Sequence, residues 1–172
     1  MTGREIERVW VLARMPAVPA HAERWEIEQG YLPEPRPGHV SASGAAPDFA
    51  EGRIRRIVMP DGRVVCRHTV KRGSGLIREE TERDIDAAEF DRAWPLTKGR
   101  RIVKTRFRVR EADLVWEVDC FQDLPLVMLE VELPSETTSA PLPPWLAPLV
   151  EREVTEDPRY RNAALAIEGL PR

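Results

Sequence analysis

The chain is short of the residues that build several common kinds of site. It has only two cysteines, Cys66 and Cys120, with no Cys-x-x-Cys spacing, which argues against a disulfide framework and against a structural zinc site. A reducing, cytoplasmic setting is expected. The three histidines, His21, His39 and His68, are scattered, so they read as surface or locally satisfied groups and not as a ligand set. No glycine-rich dinucleotide or P-loop motif occurs. The apolar run Val9 to Ala13 falls far short of a signal segment or a spanning helix. Charge is not one-sided either: 26 basic and 29 acidic side chains leave a net charge of −3, so neither nucleic acid nor a membrane is an expected partner.

What the sequence does have is charge in abundance, 32% of its residues, arranged on a strand-like period. At 172 residues one domain spanning 1–172 is expected. Strands are expected over Glu5 to Ala13, Trp25 to Tyr31, Arg53 to Met59 and Arg63 to Lys71, the last two joined by the turn Pro60-Asp61-Gly62. More follow over Leu76 to Arg83, Arg101 to Val109, Leu114 to Phe121 and Val127 to Leu133. A short helical piece around Ala20 to Trp25, an amphipathic helix over Asp84 to Trp94 and a short helix over Arg159 to Ile167 complete the pattern. The Pro, Gly, Ser and Ala-rich stretch from Pro33 to Glu51 reads as an exposed loop.

Side chains alternate faces along a strand, so each segment sorts into two columns. One column is apolar and the other charged. The charged column holds Glu5 and Glu7, Arg53 and Arg55, Arg67 and Lys71, and then Arg78, Glu80 and Glu82. It continues with Lys104, Arg106 and Arg108, then Glu117 and Asp119, then Glu130 and Glu132. Several strands carry a single sign, whereas an ordinary solvated face intersperses signs. Like charges two residues apart repel unless an opposite charge lies between them. A polyanion over the basic strands and a divalent cation over the acidic ones would supply it. An α+β, mainly antiparallel fold is therefore expected. Its sheet would be an eight-stranded closed β-barrel, charged column inward and helices outside. Cys66 and Cys120 fall on the apolar column as packing residues. The five tryptophans are expected to pack, Trp94 and Trp116 under helices and Trp145 in the proline-rich tail, with base stacking by Trp10 or Trp25 the lesser alternative.

Ordered short motifs carry a resemblance along almost the whole chain. They are Glu5-Ile6-Glu7, Glu28-Gln29-Gly30-Tyr31-Leu32, Arg53-Ile54-Arg55, Thr69-Val70-Lys71, Arg78-Glu79-Glu80-Thr81-Glu82, Lys104-Thr105-Arg106, Trp116-Glu117-Val118-Asp119, Glu130-Val131-Glu132, and Glu153-Val154-Thr155 followed by Asp157, Tyr160 and Asn162. In these the chain resembles the CYTH, or triphosphate tunnel metalloenzyme, family. The resemblance implies a tunnel that grips the triphosphate part of a small-molecule substrate. Glu5, Glu7, Glu130 and Glu132 would then ligate Mg²⁺ or Mn²⁺, and Arg53, Arg55, Lys71, Arg78, Lys104 and Arg106 would bind phosphate. Glu80, Glu82 and Asp119 would be catalytic, as further metal ligands or water-positioning groups. The chemistry implied is metal-assisted attack of water on a terminal phosphorus. One departure stands out: the family's first motif is Glu-x-Glu-x-Lys, and the lysine position here is Val9. A polyphosphate-binding module without turnover, and a class IV-type adenylate cyclase, are the alternatives. Monomer and homodimer are equally compatible with the sequence.

Overall fold

The computed structural model describes the backbone of residues 2–33, 51–72 and 77–171, and the side chains of 6–33, 51–71 and 80–171. Most of the loop expected between Pro33 and Glu51 lies outside the described residues. Nine strands form one antiparallel sheet: β1 (Thr2–Leu12), β2 (Glu23–Tyr31), β3 (Arg53–Val58), β4 (Val64–Arg72), β5 (Ile77–Ile85), β6 (Arg101–Glu111), β7 (Leu114–Phe121), β8 (Val127–Glu132) and β9 (Val150–Glu153). Two short helices accompany them, α1 (Ala87–Ala93) and α2 (Asn162–Glu168).

The hydrogen-bonded order is β5-β4-β3-β2-β6-β7-β8-β1-β9. Strand β1 is shared along its length: residues 2–6 pair with β5, 7–12 with β8, and 10–12 with β9. The sheet has nine strands, one more than the eight expected, with β5 and β9 at the ends of the order and β1 pairing with β5 as well. Strand β9 escapes a sequence reading because Val-Glu-Arg-Glu shows no apolar alternation. The expected helical piece at Ala20 to Trp25 is instead a turn leading into β2.

Local chemistry fixes the connections. Between β3 and β4 the turn closes with Met59 donating to the Arg63 carbonyl and Gly62 to the Met59 carbonyl, each at 2.9 Å. Gly62 takes φ 81°, which a residue without Cβ adopts at no steric cost. Helix α1 starts later than the periodicity suggests because β5 runs on to Ile85. Asp86 then caps it, accepting from the Glu89 backbone N–H at 2.7 Å while the Glu89 carboxylate accepts from the Asp86 N–H at 2.9 Å.

Three apolar clusters hold the layers. On one face of the sheet, Phe90 and Ala93 of α1 pack with Ile54, Cys66 and Ile85. Further along that face Trp10, Trp116, Val118, Leu129 and Val131 are covered by the proline-rich tail through Ala140 and Leu146. Trp116 therefore lies under an extended segment and not under the helix expected for it. The third cluster sits on the charged column's own face, where Val9, Val11, Phe121 and Met128 meet Val154, Tyr160 and Leu165 of the C-terminal segment. That segment covers the apolar end of a face whose remainder is charged.

Candidate functional site

A cavity of about 910 Å³ opens on the charged face. Strand alternation brings most of the predicted residues to it. From the basic group Arg53, Arg55, Lys71, Lys104 and Arg106 line it; from the acidic group Glu7, Glu80, Glu82, Glu130 and Glu132 do. The side chains of Glu5 and Arg78 lie outside the described residues, although the two positions are paired across β1 and β5. Asp119 is not on the lining. It is fully buried behind the wall, because its register partner Met128 belongs to the apolar end of this face.

Asp119 anchors two cations instead of meeting a ligand. Lys104 donates to its Oδ2 at 2.5 Å, and Arg106 donates to both of its oxygens, Nε at 2.6 Å and Nη2 at 2.7 Å. Burial works against the Asp119 charge, but Arg106 and Lys104 more than offset it and bring its pKa down to about 2. Burial likewise pushes Lys104 below the usual ammonium range, opposed by Asp119. For Arg106, burial is overridden by Asp119, Glu117 and Glu130, which hold it firmly protonated. Arg106 also donates to Glu130 at 2.6 Å and to Glu117.

The β3 and β4 wall is built differently. The Nε atoms of Arg53 and Arg55 are buried with no acceptor among the described residues. Arg55 Nη2 reaches Glu82 at 2.6 Å, and Arg53 Nη2 makes a long contact, 3.4 Å, to Thr69. Burial, with the nearby Arg53 charge, lowers the Arg55 pKa to about 10. Lys71 bridges to Glu80 at 2.9 Å, and Arg67 to Glu82 at 2.9 Å. A buried cationic wall with unused donors suits oxyanions.

Carboxylates on the facing strands are hard oxygen donors of the kind Mg²⁺ and Mn²⁺ take. Glu7 stands opposite Glu132 in the β1 and β8 register, and Val9 opposite Glu130. The donor chemistry fits, yet among the described residues no group of three or more His, Cys, Asp or Glu is gathered as a ready-made metal site. Val9 lines the cavity at the position where the family motif has lysine.

Several lining residues were not singled out in the sequence. Arg67, Arg108 and Glu117 lie in the charged column and could have been chosen on the same grounds as their neighbours. Arg100 and Arg161 belong to no alternating strand, so period-two reasoning could not find them; Asn162, quoted with the C-terminal motif, reaches Lys104 at 3.5 Å. Trp25 also lines the cavity, with the Arg108 guanidinium 4.3 Å above its ring. Trp10 does not; it packs at 5.9 Å on Trp116 in the outer core. His68 is locally satisfied by the Glu51 carbonyl at 2.8 Å.

No family model matches the chain. An inorganic triphosphatase of Nitrosomonas europaea is 37% identical over 168 residues, covering 95% of this chain and 97% of that protein. An inorganic triphosphatase of Acetivibrio thermocellus is 36% identical over 101 residues, 56% of this chain and 62% of that protein. The crystal structure of the inorganic triphosphatase NE1496 aligns over 97% of each chain with a TM-score of 0.56 and 30% identity.

Proposed function

The chain belongs to the family of these inorganic triphosphatases, and from that premise we propose that it hydrolyses tripolyphosphate in a tunnel formed where β1 bridges β8 to β5. The observation that carries the reading is the half-buried pair Arg53 and Arg55, whose buried Nε donors have no acceptor among the described residues and whose cavity is shared with Glu7, Glu130 and Glu132. Arg53, Arg55, Lys71, Lys104 and Arg106 grip the non-bridging oxygens and align the chain of phosphates for in-line attack. Glu80 and Glu82 orient the attacking water. Its oxygen bonds to the terminal phosphorus as the anhydride bond breaks, giving orthophosphate and pyrophosphate. Mg²⁺ or Mn²⁺ held by Glu7, Glu130 and Glu132, with Glu5, supplies further charge neutralisation when bound. Asp119 holds Lys104 and Arg106 in place and takes no proton. On this reading the chain works as a triphosphate tunnel metalloenzyme. We place it in the cytoplasm; Cys66 and Cys120 are free, and no helix among the described residues is long and apolar enough to cross a membrane.

The test is a panel of tripolyphosphate, ATP, GTP and thiamine triphosphate with either metal, following phosphate release. Tripolyphosphate turnover that EDTA and Glu130→Ala both abolish is expected. Tight binding with no release would favour the binding module, a reading that Val9 on the cavity wall keeps open. Cyclic AMP formed from ATP would instead favour the cyclase.

A further inference from the structure

Arg106 has five N–H donors, and the described residues use four. Nε–H goes to Asp119; the two hydrogens of Nη2 go to Asp119 and Glu130; one hydrogen of Nη1 goes to Glu117. A phosphate therefore finds one donor on Arg106 and no parallel pair. Two of the three carboxylates, Glu117 and Glu130, line the cavity, whereas Asp119 is fully buried. Only the cavity-lining pairs can be exchanged without uncovering the wall.

We propose that the Arg106 to Glu130 pair is an exchangeable latch that couples the two ligands of the site: phosphate takes Arg106 only as Glu130 lets go, and the freed Glu130 carboxylate is then offered to a divalent cation. The inference rests on the functional reading above and goes beyond it by assigning a binding order to named residues. Removing one partner from a buried pair leaves the other charge without compensation, which is costly. Either ligand alone must meet that cost; the two together do not, so each strengthens the other by the same factor. The β3 wall lacks this constraint. Arg53 and Arg55 keep buried Nε donors with no acceptor among the described residues, so an anion settles there first and reaches Arg106 last.

Pairing predicts an inverted effect of a mutation. Glu130→Gln, which removes a metal-ligand candidate, should tighten tripolyphosphate binding in the presence of EDTA. The neutral amide is a weaker acceptor, so Arg106 turns to the anion, and the gain is about tenfold in Kd. Glu132→Gln, which removes the same charge from the same cavity at an exposed position that holds none of those four Arg106 donors, should change Kd by less than about threefold. Calorimetric titration of the full chain reads both, with Glu130→Ala as a second variant and thermal unfolding as the check on folding. Unchanged or weaker binding by both Glu130 variants, or equal tightening by Glu130→Gln and Glu132→Gln, overturns the latch. Hydrolysis of tripolyphosphate by the wild type with Mn²⁺ decides separately on the underlying reading: turnover together with a flat Glu130 result sinks the latch alone, while neither turnover nor binding sinks both.

Discussion

The two walls of the cavity spend their charges in opposite ways. On β6, β7 and β8, Lys104 and Arg106 are neutralised internally by Asp119, Glu117 and Glu130. On β3, Arg53 and Arg55 sit side by side with buried, unused Nε donors, and burial together with the Arg53 charge lowers the Arg55 pKa to about 10. The first wall is arranged for the fold's sake and yields to a ligand only by exchange. The second is arranged at the fold's expense, because like charges stand together half-buried, and a bound anion relieves it. Stability and affinity should therefore separate by wall.

Asp119→Ala is the most damaging test of that separation. It strips the shared partner from a buried lysine and arginine and should cost about 3 kcal/mol or more in denaturant unfolding. A loss under 1 kcal/mol would mean that Glu117 and Glu130 suffice to hold the wall. Next comes acid. Asp119 has its folded pKa depressed to about 2 from an ordinary value near 3.8, so its stabilisation is present above pH 4 and is lost as pH falls toward 2. The wild type's advantage over Asp119→Asn, about 2–3 kcal/mol from this linkage, should fade across that window. A stability difference that stays constant with pH would show that the carboxylate charge is not what matters.

Arg55→Ala addresses the other wall. It should weaken tripolyphosphate binding about tenfold or more, the usual loss for a charge-assisted hydrogen bond. Unfolding stability should hold or rise slightly, since Arg53 loses a like-charged neighbour and Glu82 keeps Arg67. A marked fall in melting temperature would place Arg55 with the structural wall. The smallest effect belongs to Val9→Lys. A lysine there restores a cation beside Glu130 and should raise turnover several-fold, within the ~10²–10⁴-fold range of acid–base assistance; an unchanged or lower rate would count against the motif assignment at residue 9.

The sequence showed which face a residue occupies but not how deep it lies. Alternation placed Glu130, Arg53 and Lys104 on one face, and the structure keeps them together at one cavity. The same alternation put Asp119 beside Glu117 as an equal, and it could not see that the C-terminal segment fills that end of the face with Val154, Tyr160 and Leu165. Long-range packing, not local pattern, removed Asp119 from the lining. Packing also decided the tail, where β9 forms because β1 offers it a free edge at residues 10–12 and not because Val150 to Glu153 favours a strand. Turns written in Pro, Asp and Gly were legible in detail, as Pro60-Asp61-Gly62 shows. Helix onset was not, because Asp84 and Asp86 are both acceptable caps and only the length of β5 chooses between them.

The sharing of β1 among three partners has a bearing on how the molecule is made. During synthesis β1 must wait for residues 77–81, then 127–132 and finally 150–153 before its edges are satisfied. Contacts of such large sequence separation form slowly, because a long loop must be closed before any pairing rewards it. Nascent chains should therefore hold Ile6, Trp10 and Leu12 exposed through most of synthesis, a window in which a chaperone, or another unfinished copy, has first access to them.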